Sequence, residues 1–213
     1  EQPSKPQLTT PQLATVNKAA RPVRVFVLLA HGFGARTWTE RWKQGLIGGI
    51  NERLPYGFFH AAGDGVTVEY SEDRSERLSM KYLRSGLRLF LGFDVIHAWR
   101  NRDAIRSAHV IWVNTEYEHL AALCLLIRRP RARRPLVIAE SVWLFDCWGR
   151  FWAPRRWLYR RLLADADILV VHSPANQRVA RDLFPEKRVE FIPFGVDPAA
   201  IKPAVQREPH LPL

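Results

Sequence analysis

Short apolar runs alternate along this chain with longer segments of mixed polarity. VRVFVLLA (residues 23–30) is a run of β-formers and predicts the first strand. It leads into HGFGARTWTERW (31–42), a glycine-bearing loop followed by a helix that starts near Thr37 or Thr39 and runs to about Leu54. VTVEY (66–70) predicts a second strand, and the segment after it takes on helical apolar spacing. FDVIHA (93–98), HVIWV (109–113) and PLVIA (135–139) read as the third, fourth and fifth strands. NTEYEHLAALCLLI and FWAPRRWLYRRLLADA predict helices on either side of the fifth. ILVV (168–171) is the run expected of a strand buried on both faces. Ser173-Pro174 then supplies an N-cap and a first-turn proline for a helix to Phe184, and VEFI (189–192) is a last short strand.

Strands that alternate with helices predict an α/β fold with a doubly wound, mostly parallel, Rossmann-like sheet. Residues 1–21, rich in Pro, Gln and Thr, read as a disordered tail; 22–198 form the domain, and 199–213 read as a linker. No apolar run approaches the ~20 residues of a spanning helix.

Composition changes this picture in two ways. The net charge of +11 calls for an anionic partner, although the excess of Arg over Lys is partly what a GC-rich genome would give. The cysteines, Cys124 and Cys147, have neither CxxC nor histidine spacing, so neither a structural disulfide nor a metal site is expected, and a reducing cytoplasm fits.

The loop HGFGA admits two chemistries. An α/β-hydrolase oxyanion turn needs a G-x-S-x-G elbow, and no serine here is flanked that way. A dinucleotide fingerprint needs a third glycine, where Thr37 stands. What remains is a turn whose backbone N–H groups can approach a phosphate, or which merely turns the chain.

Open α/β sheets bind ligands at the carboxyl ends of their strands. After the fourth strand stand Asn114, Thr115 and Glu116; after the fifth stand Glu140, Ser141, Trp143 and Asp146. Glu116 and Glu140 are candidate catalytic carboxylates, and the others are candidate acceptor contacts; helix caps or surface ion pairs are the plainer reading of each. In residues 147–163, aromatics interleave with arginines. Trp152, Arg155, Arg156, Trp157 and Arg160 suit a membrane interface, base stacking, or an amphipathic helix packed on the sheet. No nucleic-acid module accompanies them, so no nucleic-acid partner is expected.

ADILVVHSPANQRVARDLFPEKRVEFIPFGVDP resembles the end of the N-terminal domain of GT-B glycosyltransferases, family 4 (glycosyltransferase group 1). The matches are Ala166-Asp167, Ser173, Arg188-Val189 and Ile192-Pro193-Phe194-Gly195-Val196-Asp197, with Phe194 where the pattern has Asn. The resemblance implies an acceptor-side domain of a retaining enzyme that uses a nucleotide-diphosphate sugar as co-substrate and no other cofactor. It implies a glycan or lipid-linked acceptor, a cytoplasmic site peripheral to the inner face of an anionic membrane, and work in polysaccharide or glycolipid assembly. It places Gly32, Phe33, Gly34 and Ala35 at the donor diphosphate. Two histidine features of the family are replaced: Trp112 and Asn114 stand at an H-x-H pattern, and Glu140 or Ser141 stands at a histidine near the transferring sugar. Only a linker's length follows Asp197, so the donor domain is expected on a longer chain or a separate one. The alternative is a non-catalytic module that docks on an anionic membrane or a partner protein.

Overall fold

The computed structural model describes residues 22–47, 52–113 and 115–195. The predicted tail, the residues after Gly195 and Asn114 lie outside that range. In chain order the main elements are β1 (Val23–Val27), α1 (Ala35–Lys43), β2 (Val66–Tyr70), α2 (Leu78–Leu91), α3 (Val95–Arg100), α4 (Arg102–Ser107) and β3 (Val110–Val113). They continue with α5 (Glu116–Leu126), β4 (Leu136–Ser141), α6 (Ala153–Leu163), β5 (Ile168–Val171), α7 (Pro174–Leu183) and β6 (Arg188–Phe191). A seven-residue 3₁₀ stretch, Pro55–Ala61, kinked at Tyr56 and Gly57, precedes β2.

The strands form one six-stranded, all-parallel sheet in the order β2-β1-β3-β4-β5-β6. The expected doubly wound α/β architecture is therefore present. The order reverses between β1 and β3, which makes the carboxyl ends of those strands the topological switch point where such sheets take ligands.

Alternation along the strands divides the core between the two faces. Phe26, Leu28, Ile111, Val113, Val137, Ala139, Leu169 and Val171 pack in the larger cluster with α5 and α6 residues such as Leu120, Leu123 and Leu162. Val25, Val27 and Leu29 point to the other face, where Phe58 and Trp112 close a smaller cluster.

Two elements differ from expectation. Residues 93–98 are not a strand: Val95–Arg100 is helical, and the Asp94 carboxylate caps it by accepting from the His97 N–H at 2.9 Å. A short apolar run cannot by itself distinguish a strand from a buried helical turn, and the side-chain cap decides this case. The predicted fourth and fifth strands are accordingly β3 and β4. The first helix starts at Ala35, earlier than expected, and ends at Lys43, well short of Leu54.

Candidate functional site

The polar groups at the carboxyl edge of the sheet fall into separate clusters. The first is built on Glu140, the penultimate residue of β4. Its Oε2 accepts a 3.2 Å hydrogen bond from the Trp112 indole of β3, and its Oε1 lies 2.9 Å from His172 Nε2, just beyond β5. His172 Nδ1 lies 2.7 Å from the Ile192 carbonyl, which can only accept, so that nitrogen carries a proton. Burial pushes the Glu140 carboxyl up, and the His172 charge and the Trp112 N–H oppose that push only in part. Phe194 stacks on the imidazole, ring centres 3.8 Å apart. Glu140 is thus bound through His172 to the segment by which the chain leaves the sheet.

Glu116 does not join that cluster. It opens α5, and its Oε2 accepts from the Val142 N–H at 3.3 Å. Trp143, exposed, and Glu116 both line a cavity beside Tyr117 and Tyr159. Asp146 accepts from Asn176 Nδ2 at 3.0 Å, and Asn176 also donates to the Val142 carbonyl at 3.3 Å, so the first turn of α7 braces this loop. Ser141 Oγ is buried without a partner among the described residues. The Thr115 hydroxyl bonds to Glu118, a buried carboxyl raised to about 7 by burial, with the Thr115 bond opposing. His119, fully buried, is held near pKa 3 by burial, and its Nδ1 contacts the Glu140 carbonyl at 3.1 Å.

The glycine loop after β1 already holds an anion of the protein's own. Gly32 N donates to Asp73 Oδ1 at 2.9 Å and Gly34 N to Asp73 Oδ2 at 3.0 Å. Phe33 N bonds to the Ala30 carbonyl and Ala35 N to the Ser71 carbonyl. Burial raises the Asp73 carboxyl, but Gly32 N–H, the Thr37 hydroxyl and Gly34 N–H more than offset it and leave it lowered. A Cβ on Gly34 would sit 2.6 Å from Asp73 N, so the close approach itself requires glycine there. The loop has the geometry of an anion cradle, and a carboxylate occupies it. Behind it, Glu76 takes Arg84 at 2.9 Å, His31 at 3.3 Å and Arg100 at 3.4 Å, and Arg84 also pairs with Asp94 at 2.8 Å.

The aromatic–arginine segment divides by role. Arg155 donates to the carbonyls of Leu89 and Phe90 at 2.9 and 2.7 Å and so caps the end of α2; Tyr159 adds a 2.9 Å bond to Leu91 O. Trp152, Trp157, Arg156 and Arg160 are exposed. The sequence reading missed three features: His172, Asp73 and the outer face of α2. Leu78, Tyr82 and Leu89 of α2 are all more than 70% exposed. His172 carried no motif to mark it, since its partner Glu140 lies 32 residues earlier and only strand pairing brings them together. Among the described residues, no cluster of three or more His, Cys, Asp or Glu side chains is placed to hold a metal.

A parallel doubly wound sheet with a polar carboxyl edge and an exit strand at its border fits the Rossmann-like half of a GT-B glycosyltransferase. The chain belongs to Glycosyltransferase Family 4, whose family model matches residues 58–200. The match takes in β2 to β6 and therefore Glu140, His172 and the exit segment. No curated protein matches the chain.

Proposed function

We propose that this domain is the acceptor-binding half of a retaining glycosyltransferase that passes a sugar from a nucleotide-diphosphate donor to a glycan or lipid-linked acceptor. The pathway is polysaccharide or glycolipid assembly at the inner face of a membrane. The observation that carries the reading is the Glu140 cluster. It is a half-buried carboxylate, hydrogen-bonded to the Trp112 indole and 2.9 Å from the His172 imidazole, at the carboxyl edge of the sheet, in a chain of this family. Glu140 would orient an acceptor hydroxyl, with His172 fixing its ionisation. The donor diphosphate would meet the Gly32–Ala35 loop only if Asp73 gives up the amides it holds. Asn114, Thr115, Ser141, Trp143 and Asp146 are the proposed acceptor surroundings.

The test is transfer of radiolabelled sugar from UDP- or GDP-sugars to a short-chain prenyl-diphosphate sugar, by this domain together with its donor domain. Glu140→Gln is expected to lower kcat/KM by roughly 10²–10⁴. Unchanged turnover would remove Glu140 from the chemistry, and failure with every glycan and lipid-linked acceptor would remove the acceptor assignment.

A second reading, a non-catalytic module docked on an anionic membrane, is favoured by the outer face of α2. At about 100° per residue, Leu78, Tyr82 and Leu89 form one stripe and Leu83 and Phe90 the next, with Lys81 and Arg88 along the border. Such an arc suits a bilayer interface, and it serves a lipid-using transferase equally well.

A further inference from the structure

A cavity of about 210 Å³ opens between the end of α2, the first turn of α5 and the 142–151 loop. Its walls are Tyr117, Trp143, Leu144, Cys147, Phe151 and Tyr159. We propose that it receives the apolar chain, isoprenoid or acyl, of an amphiphile with an anionic head. The proposal deepens the acceptor reading above and rests on it for the biological role of that amphiphile.

The walls decide between a chain and a sugar ring. Aromatic side chains serve both, but a sugar brings hydroxyls that need partners. Here several of the polar groups are spent, while Arg155 Nε is buried with no partner among the described residues. Tyr159 Oη donates to Leu91 O, Arg155 Nη2 donates to the Leu89 and Phe90 carbonyls, and Glu116 Oε2 accepts from Val142 N. A buried hydroxyl without a partner costs roughly 1–3 kcal/mol, whereas a methylene placed there gains from burial. At about 30 Å³ per water-sized group, the cavity holds roughly seven such groups. That is the near end of a lipid chain rather than its whole length.

The surroundings say where the chain comes from and which head it carries. Trp143 lines the cavity and is 63% exposed, and nearby stand Phe90 and Trp152, exposed and 6.0 Å apart between ring centres. These join the cavity to the apolar arc of α2. The Arg88 guanidinium lies 5.8 Å from the centre of the Tyr117 ring, which puts a cation beside one wall for a phosphate head.

Cys147 makes the proposal testable on this chain without a donor domain. It lines the cavity and is a free thiol; Cys124, the other cysteine, is removed as Cys124→Ala. Iodoacetamide alkylation of Cys147 is followed with geranyl phosphate, below its micelle concentration, or with inorganic phosphate. Geranyl phosphate at about ten times its Kd should slow alkylation about tenfold, and inorganic phosphate should leave it unchanged. Cys147→Phe, which fills the cavity, should abolish the tryptophan-fluorescence change on adding geranyl phosphate; if that variant does not fold, the alkylation rates decide. Alkylation indifferent to geranyl phosphate, or slowed equally by inorganic phosphate, would overturn the proposal. Protection without sugar transfer to any lipid-linked acceptor would keep the cavity's ligand and remove the acceptor assignment.

Discussion

Glu118 and His119 are neighbours in α5, both buried, and burial moves them in opposite directions. The Glu118 carboxyl is raised to about 7, so the folded state holds its proton more tightly than the unfolded chain. The stability this gives is complete below pH ~4.5 and is lost as pH rises to about 7, by up to ~3 kcal/mol. His119 is held neutral, with a pKa lowered to about 3. The unfolded chain binds that proton first, so stability is lost as pH falls from ~6.5 toward 3. Between about pH 4.5 and 6.5 the two slopes oppose each other and flatten the profile. Glu118→Gln removes one of them. Urea midpoints of this variant should climb with pH up to about 6.5 and then level, above the parent at pH 8. A variant profile parallel to the parent's would show that Glu118 is ionised in the fold at neutral pH.

At the scale of elements, Gly92 is where α2, α3 and α6 meet. Its φ of +84° closes α2, and a Cβ there would lie 2.0 Å from the Tyr159 hydroxyl. Gly92→Ala is expected to cost about 2–4 kcal/mol, from the left-handed backbone and from displacing Tyr159 off the Leu91 carbonyl. In a Tyr159→Phe background the hydroxyl is gone, and the same glycine change should cost measurably less. Additive costs in urea melts of this double-mutant cycle would mean that backbone strain alone sets the penalty. The same junction shows what was legible in the sequence. β1 to β6 were readable as apolar β-former runs, and α7 from Ser173-Pro174, whose hydroxyl does cap it at 3.0 Å from Asn176 N. The 93–98 segment was not, because what makes it a helix is a carboxylate cap and an arginine from α2, neither of which leaves a periodic trace. Glu140 was legible from its place at a strand end. His172 was not, because the contact depends on the register between β4 and β5.

Across the whole molecule, the parallel sheet places the proposed sugar chemistry at the strand carboxyl ends and leaves α2 and the start of α6 as an apolar, basic flank. The sequence directs attention to α6 as the membrane contact, and packing changes which of its residues can test that. Arg155 is bound to the end of α2, so replacing it would unpin two helices and weaken binding for structural reasons alone. The informative comparison is between Leu89→Glu or Phe90→Glu on α2 and the pair Arg156→Gln with Arg160→Gln on α6. Leu89 and Phe90 are 82% and 63% exposed, so the glutamates cost the fold little. If α2 lies in the interface, each glutamate removes an apolar anchor of about 1.5–3 kcal/mol and adds like-charge repulsion. Sedimentation with phosphatidylserine-containing vesicles should then fall by more than tenfold for either one. The arginine pair should lose about 1 kcal/mol per charge near the surface, and that loss should shrink in high salt. Neutral vesicles should bind the parent weakly. Full vesicle binding by Leu89→Glu and Phe90→Glu, with loss confined to the arginine pair, would move the interface from α2 to α6. Indifference of both sets would leave the exposed face to a protein partner.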